Sequence, residues 1–316
     1  MHLPVACLNG DFVSMDEMKV PVLDQGFTMG VQAMELSRTF NHQLFRLPHH
    51  LRRLYRTLHT LRIDPGIRMD KLAQLTEELA ARNAVHAEPD TEFALLHFVT
   101  PGTTPGYHVG PAEEIVPTVG MHCFDLNLGA NFEKYQTGIH VVTARIRHQP
   151  PECMDPKLKV RSRLYWFIAD NEAHLVDPQA TALVLDLNGN IAECHGSNFL
   201  IVQDGVILSP TTRNMLEGIT WKTTLELAEK VGIPVEIRDI TPHEAYNADE
   251  AFITSSSICT MPVTKLDQIQ IGSGQPGPIV QRLLEAWSEL AGYDVVDRCR
   301  LLHDRQRATE RVAGSS

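Results

Sequence analysis

Between Lys157 and Arg163 a cation stands at every second position (Lys157, Lys159, Arg161, Arg163), and the spacing then switches from two to that of a helix. A period of two puts the four cations on one side of an extended segment, with Leu158 and Val160 on the other. After Ser162, apolar residues at Leu164, Phe167 and Ile168 predict a helix entering a core. The stretch Asp155–Ala173 is therefore an extended-to-helix junction dense in positive charge. A lysine crowded by other cations loses its proton more readily than a surface lysine. Its neutral amine is the nucleophile that Schiff-base chemistry needs. A solvated basic edge is the plain alternative for the same residues, and the other segments decide between the two.

Length and charge set the outer bounds. A chain of 316 residues can build two domains with real cores. Its net charge of -11 argues against nucleic acid or an anionic membrane as the main partner. An anionic ligand must then be held by local donors. The six cysteines are scattered without a CxxC pair, the usage of a reducing cytoplasm rather than of a disulfide scaffold or a metal site. No basic region followed by an apolar run opens the chain, and no stretch approaches the roughly 20 apolar residues of a membrane span.

Hydrophobic periodicity and turn signals mark both strands and helices, and a polar, Gly-containing segment near residues 126–136 separates two domains. An N-terminal domain over 1–128 opens with a hairpin at Asn9-Gly10. A strand over Ala33–Phe40 follows, carrying Glu35 and Arg38, and then a second short hairpin. Leu51, Leu54, Leu58 and Leu61 mark an amphipathic helix over His49–Ile63. A further helix spans Asp70–Asn83, and strands span Phe93–Thr100 and Thr118–Cys123. Residues 129–136 read as a linker, 137–303 as a C-terminal domain carrying the lysine segment, and 304–316 as a frayed tail. Within that second half, strands span Ile139–Ile146 and Ala180–Asp186, with two-residue turns at Asn188-Gly189 and Asp204-Gly205.

Three features of the second half carry chemistry. A helix over Gly218–Gly232 begins with Ile219 and Thr220, whose N–H groups and hydroxyl suit an anion such as phosphate. The hydroxyl run Thr254–Ser257, which includes Ser256 and Ser257, suits a phosphate or a plain turn. Glu193 in IAECHGSNF ends a strand between two hairpins, placed to meet a protonated ring nitrogen or to cap the bend. Cys194 and His195 beside it point to opposite faces of that strand, which rules out a Cys-His nucleophile.

In this order the motifs resemble the fold-type IV pyridoxal-phosphate enzymes, a family of branched-chain aminotransferases, D-amino-acid aminotransferases and aminodeoxychorismate lyases. The resemblance runs from about Asn9 to Pro278 and rests on LDQGFTMG with Glu35, HLRRL, Lys159 followed by Glu172-Ala173, E-x-x-x-S-N-F, LEGIT and SSSICTMP. It implies a two-domain α/β fold with pyridoxal 5'-phosphate between the domains, and a homodimer. It makes Lys159 the residue that binds the cofactor covalently and Glu193 the partner of the pyridine nitrogen, with Ser197 and Asn198 beside it. Arg53, Ile219, Thr220, Ser256 and Ser257 then bind the phosphate. Met34, Glu35, Arg38, Tyr107 and His108 fall where substrate is bound. Gly106 stands where D-amino-acid enzymes place an arginine and Met34 where they place a tyrosine, which disfavours that specificity. Leu164 stands where branched-chain enzymes place a tyrosine, and Trp221 where the GIT motif normally continues with arginine. The expected activity is amino transfer between a small or branched-chain L-amino acid and a 2-keto acid, with aminodeoxychorismate lyase as the alternative.

Overall fold

A computed structural model describes residues 4–85, 87–103 and 115–313. The chain forms two compact units, Met1–Leu126 with Leu158–Arg163, and Asn127–Lys157 with Leu164–Ser316. The expected Tyr107 and His108 lie outside the described residues.

In the first unit, β1 (Val5–Leu8) and β2 (Asp11–Ser14) form the hairpin predicted at Asn9-Gly10, with φ of 53° and 94° at the two turn residues. Next come a short α1 (Gln25–Thr28), β3 (Ala33–Phe40), β4 (Gln43–Leu44), α2 (Leu47–Leu61), α3 (Met69–Ala84), β5 (Phe93–Thr100) and β6 (Thr118–Asp125). The sheet order is β2-β1-β6-β5-β3-β4, with antiparallel pairing throughout. One sheet face is covered by α2 and α3, whose Leu51, Leu54, Leu58, Leu72 and Leu79 are buried against Ala33, Leu95, Val99 and Met121. Each such leucine contributes about 1.5–3 kcal/mol of burial. The other face carries a smaller cluster of Met34, Leu96 and Phe98.

The order of the chain predicts the lysine segment within the second domain, but Leu158–Arg163 belongs to the first unit. Val160 bridges Ala33 antiparallel, the N–H of Met34 donates to the Lys159 carbonyl (2.9 Å), and that of Arg161 donates to Gln32 (2.9 Å). Backbone pairing with the start of β3 overrides the position of the segment along the chain.

The second unit runs α4 (Phe132–Thr137), β7 (Ile139–Thr143), α5 (Leu164–Val176), β8 (Thr181–Leu185), β9 (Ile191–Cys194), β10 (Asn198–Gln203), β11 (Val206–Ser209), α6 (Ile219–Lys230), β12 (Val235–Ile237), α7 (Pro242–Tyr246), β13 (Glu250–Ser255), β14 (Cys259–Leu266), β15 (Ile269–Gln270), α8 (Pro278–Ala291) and α9 (Val295–Ala313). Its sheet order is β12-β11-β10-β13-β14-β7-β8-β9, with β15 on β14. Asp204 and Gly205 make the predicted tight turn, with φ of 51° and 78°.

Several expectations are corrected here. Much of the supposed linker is helical (a 3-10 turn at Gly129–Asn131, then α4), and the supposed frayed tail is α9. β7 stops at Thr143, short of the predicted Ile146. At 186–190 the loop is wider than a two-residue turn, because the Asp186 carboxylate collects the N–H groups of Asn188 and Asn190. The helix α5 forms as predicted, but its buried face is Trp166, Ala169 and Ala173. Leu164 and Phe167 are 74% and 65% exposed, so the apolar spacing marks the face turned away from this chain's core. Among the described residues, no helix is long and apolar enough to cross a membrane.

Candidate functional site

In the first unit the chemistry gathers where α2 crosses β3. His50, Arg53 and Thr57 recur at helical spacing on α2, so they share one face. Glu35, wholly buried on β3, receives two of them. Arg53 donates Nε to Oε2 (2.8 Å) and Nη2 to Oε1 (2.7 Å), and His50 Nδ1 lies 3.1 Å from Oε1. The Leu36 N–H also donates to Oε1 (2.9 Å). Burial works against the Glu35 charge, but Arg53 and His50 hold its carboxyl well below the usual carboxylate range. Burial also pushes His50 down, and Lys159 is among the cations that act on it.

Lys159 is fixed from both sides. Its N–H donates to Thr57 Oγ1 (3.3 Å), and its carbonyl accepts from Met34. The lysine segment is thus stitched to β3 and α2 beside the Glu35–Arg53 pair.

Three of the expected substrate residues have partners within the first unit. Glu35 is the carboxylate that orients Arg53. Arg38 is buried, donates Nε to the Thr39 carbonyl (3.0 Å) and lies 4.0 Å over the Phe40 ring. The Met34 side chain packs with Leu96 and Phe98, so its backbone rather than its side chain adjoins Lys159.

In the second unit Glu193 ends β9 and is almost fully buried. Its Oε1 lies 3.1 Å from His148 Nε2, and its Oε2 accepts the Leu216 N–H (3.0 Å). Asn198 Nδ2 donates to the Leu216 carbonyl (2.8 Å). Both peptide groups of Leu216 are therefore held by the E-x-x-x-S-N-F segment, which sets the loop leading into α6. Gly218 is the N-cap of α6, and among the described residues no side chain caps it. The first-turn N–H groups at Ile219 and Thr220 are the donors a helix start presents to an anion.

A Cβ at Gly218 would sit 2.2 Å from Asn198 Oδ1. Gly218→Ala should therefore cost about 1–3 kcal/mol as an overpacked site, read from the denaturant midpoint at unchanged slope.

Ser256 and Ser257 lie in the turn between β13 and β14, and Ser257 Oγ lies 3.1 Å from Ser255 Oγ. Asn198 pairs with Thr254 across β10 and β13. Ser197 Oγ and Thr254 Oγ1 are buried hydroxyls without a hydrogen-bond partner among the described residues. Trp221, in the position where arginine is familiar, is buried and donates Nε1 to Ser209 Oγ (2.9 Å), so it serves the core. Burial drives the Cys194 thiol well above its ordinary pKa, and His195 pairs with Asp170 instead (2.5 Å), which removes the Cys-His reading.

Two residues that hold Glu193 escape the sequence. Leu216 acts through its backbone, which no side chain signals. His148 reaches Glu193 across a long separation in the chain, and only its residue type hints at chemistry.

The second unit thus holds a buried carboxylate beside a histidine, and the first a lysine whose backbone is anchored beside a buried ion pair. Residues 32–266 match the amino-transferase class IV family, and the chain belongs to that family. It is 28% identical over 284 residues to a putative branched-chain-amino-acid aminotransferase of Methanocaldococcus jannaschii, covering 90% of this chain and 95% of that one. It is also 28% identical over 293 residues to a D-alanine aminotransferase of Listeria monocytogenes serotype 4b, covering 92% and 96%. Among solved structures, the Escherichia coli branched-chain amino acid aminotransferase superposes with a TM-score of 0.84 at 25% identity, covering 92% of this chain and 95% of that one. The T.th. branched-chain amino acid aminotransferase with pyridoxamine 5'-phosphate gives 0.83 at 26%, with the same coverage.

Proposed function

We propose that the protein is a pyridoxal 5'-phosphate-dependent aminotransferase that moves an amino group between a small or branched-chain L-amino acid and a 2-keto acid. The observation that carries this reading is the anchoring of Lys159 between Thr57 and Met34, beside the Glu35–Arg53 pair. The residues suit the cofactor group by group: an amine for the aldehyde, a buried carboxylate for the ring nitrogen, and helix-start donors with hydroxyls for the phosphate. The buried, unpartnered hydroxyls of Ser197 and Thr254 near Asn198 suit a polar ligand too. Pyridoxal phosphate, when bound, supplies the electron sink that stabilises the carbanion left when the substrate α-carbon loses its proton.

Each residue then has a defined task. Lys159 Nζ would hold the cofactor covalently and, as a free amine, would serve as the base for the substrate α-proton. The Glu193 carboxylate would face the ring nitrogen and favour its protonated form. Glu193 and Asn198 fix the loop that carries Leu216 and Gly218. The Ile219 and Thr220 N–H groups, with the hydroxyls of Ser256 and Ser257, bind the phosphate, and Arg53, oriented by Glu35, adds its charge. A homodimer suits the exposed Leu164 and Phe167 of α5, and free cysteines, five of them buried, suit a cytoplasmic location.

Excess L-leucine, L-valine or L-glutamate without an acceptor should convert the bound cofactor to its amine form, followed by absorbance. A keto acid such as 2-oxoglutarate should reverse the change. Conversion by D-alanine alone would shift the assignment to D-amino acids. No conversion by any amino acid, with pyruvate released from aminodeoxychorismate, would make the protein a lyase.

A further inference from the structure

Glu193 does not face its surroundings alone. His148 is 3% exposed, and its Nδ1 lies 2.9 Å from the Gln149 carbonyl oxygen. A carbonyl only accepts, so Nδ1 carries a hydrogen. Nε2 lies 3.1 Å from Glu193 Oε1. A neutral ring protonated at Nδ1 would aim its Nε2 lone pair at a carboxylate, so a second proton belongs between Nε2 and Oε1. The ring cannot easily turn away. Its backbone N–H donates to Leu185 (2.9 Å), and Tyr165 and Trp166 meet it edge-on at 5.6 Å and 6.2 Å. A cavity of about 260 Å³ lies beside the ring, lined in part by His148, Asp186, Glu152 and Arg213.

We propose that His148 is the positioning residue of Glu193: as a two-donor cation it locks the carboxylate in one orientation and shares its negative charge, so that the proton on the cofactor's ring nitrogen answers to the protonation of His148. This rests on the assignment of Glu193 to that nitrogen. The charged groups around the ring agree. Burial disfavours the imidazolium, but the hydrogen bond and charge of Glu193, the Gln149 carbonyl and the charge of Asp186 outweigh it and hold His148 above the usual histidine value. The remaining charges on the cavity wall, Glu152 and Arg213, are paired with each other (2.6 Å). The sign for stability follows. A histidine whose folded value is raised stabilises fully below its unfolded value, about 6.5, and loses that contribution as pH rises through the folded value.

The test uses holoenzyme carrying ¹⁵N-labelled histidine and, separately, ¹⁵N-labelled pyridoxal phosphate. His148 should be doubly protonated near neutral pH and should titrate above an ordinary histidine. In Glu193→Gln its titration should fall by about one pH unit or more. In the wild type the ring-nitrogen signal of the cofactor should step at the pH where His148 deprotonates. That step should vanish in His148→Arg, which keeps a permanent charge, and in His148→Gln, which has none. A His148 that titrates at or below the ordinary value, unmoved by Glu193→Gln, overturns the proposal and leaves a packing role. If Glu193→Gln moves the cofactor signal but the His148 variants leave the step in place, the proposal fails while the Glu193 assignment stands. If Glu193→Gln leaves the cofactor signal unchanged, that assignment fails and takes the proposal with it. Should a His148 variant not fold, the wild-type titrations and Glu193→Gln still decide.

Discussion

Lys159→Ala should reduce turnover by on the order of 10⁴-fold or more, since proton transfer by a placed side chain alone is worth about 10²–10⁴ and covalent attachment is lost with it. The residues proposed to bind the phosphate lie elsewhere in the chain, so the variant should still bind some cofactor, measured by dialysis and absorbance. Lys157→Ala is the matching control. Lys157 is exposed and donates Nζ to the Thr212 carbonyl (3.0 Å), while its nearest carboxylate, on Asp155, is 3.9 Å away. Exposed contacts of that kind are worth little, so Lys157→Ala should retain activity within about a few-fold. Equal losses in the two variants would mean that the basic segment acts as a field rather than through one amine.

Arg53→Ala should have the second large effect, and on two readouts. Glu35 is wholly buried, and truncating Arg53 leaves it His50 and the Leu36 N–H. Breaking a buried pair from one side costs about 3–5 kcal/mol. Thermal and denaturant unfolding should therefore move before any question of cofactor arises. Cofactor retention should fall as well, by about one to two orders of magnitude for a charge-assisted bond of about 1.5–3 kcal/mol. Adding Glu35→Gln to Arg53→Ala removes the stranded charge and should recover stability without recovering retention. Recovery of both in the double variant would leave Arg53 a structural role only. Glu35 also sets a pH expectation. Its folded value is depressed, so its contribution is present above the ordinary carboxylate value and is lost only as pH falls through the lower folded value.

The strands and helices that build the sheets are legible because one periodicity dominates each of them. Ala33–Phe40 and Phe93–Thr100 form with the limits read from the sequence, and the Leu51, Leu54, Leu58 stripe faces the core. Lys159 and Glu193 stand out only through the order of the motifs around them, since Lys159 is one of four alternating cations. What stays hidden depends on distant pairing. The affiliation of Leu158–Arg163 with β3 is a backbone matter, invisible in a run of alternating cations. The buried face of α5 is ambiguous in the sequence because its apolar residues exceed what one face needs, and the smaller Ala169 and Ala173 take the core side. The pairing of Glu35 with Arg53 is hidden as well, because a carboxylate on a strand does not announce an arginine placed on a later helix.

The most direct measurement is borohydride reduction of the purified protein with its cofactor, followed by peptide mapping. The label should appear on Lys159 alone, and Lys159→Ala should take up none. Label on Lys157, or a protein that reduces without carrying any label, would contradict the assignment of the lysine segment as the centre of the chemistry.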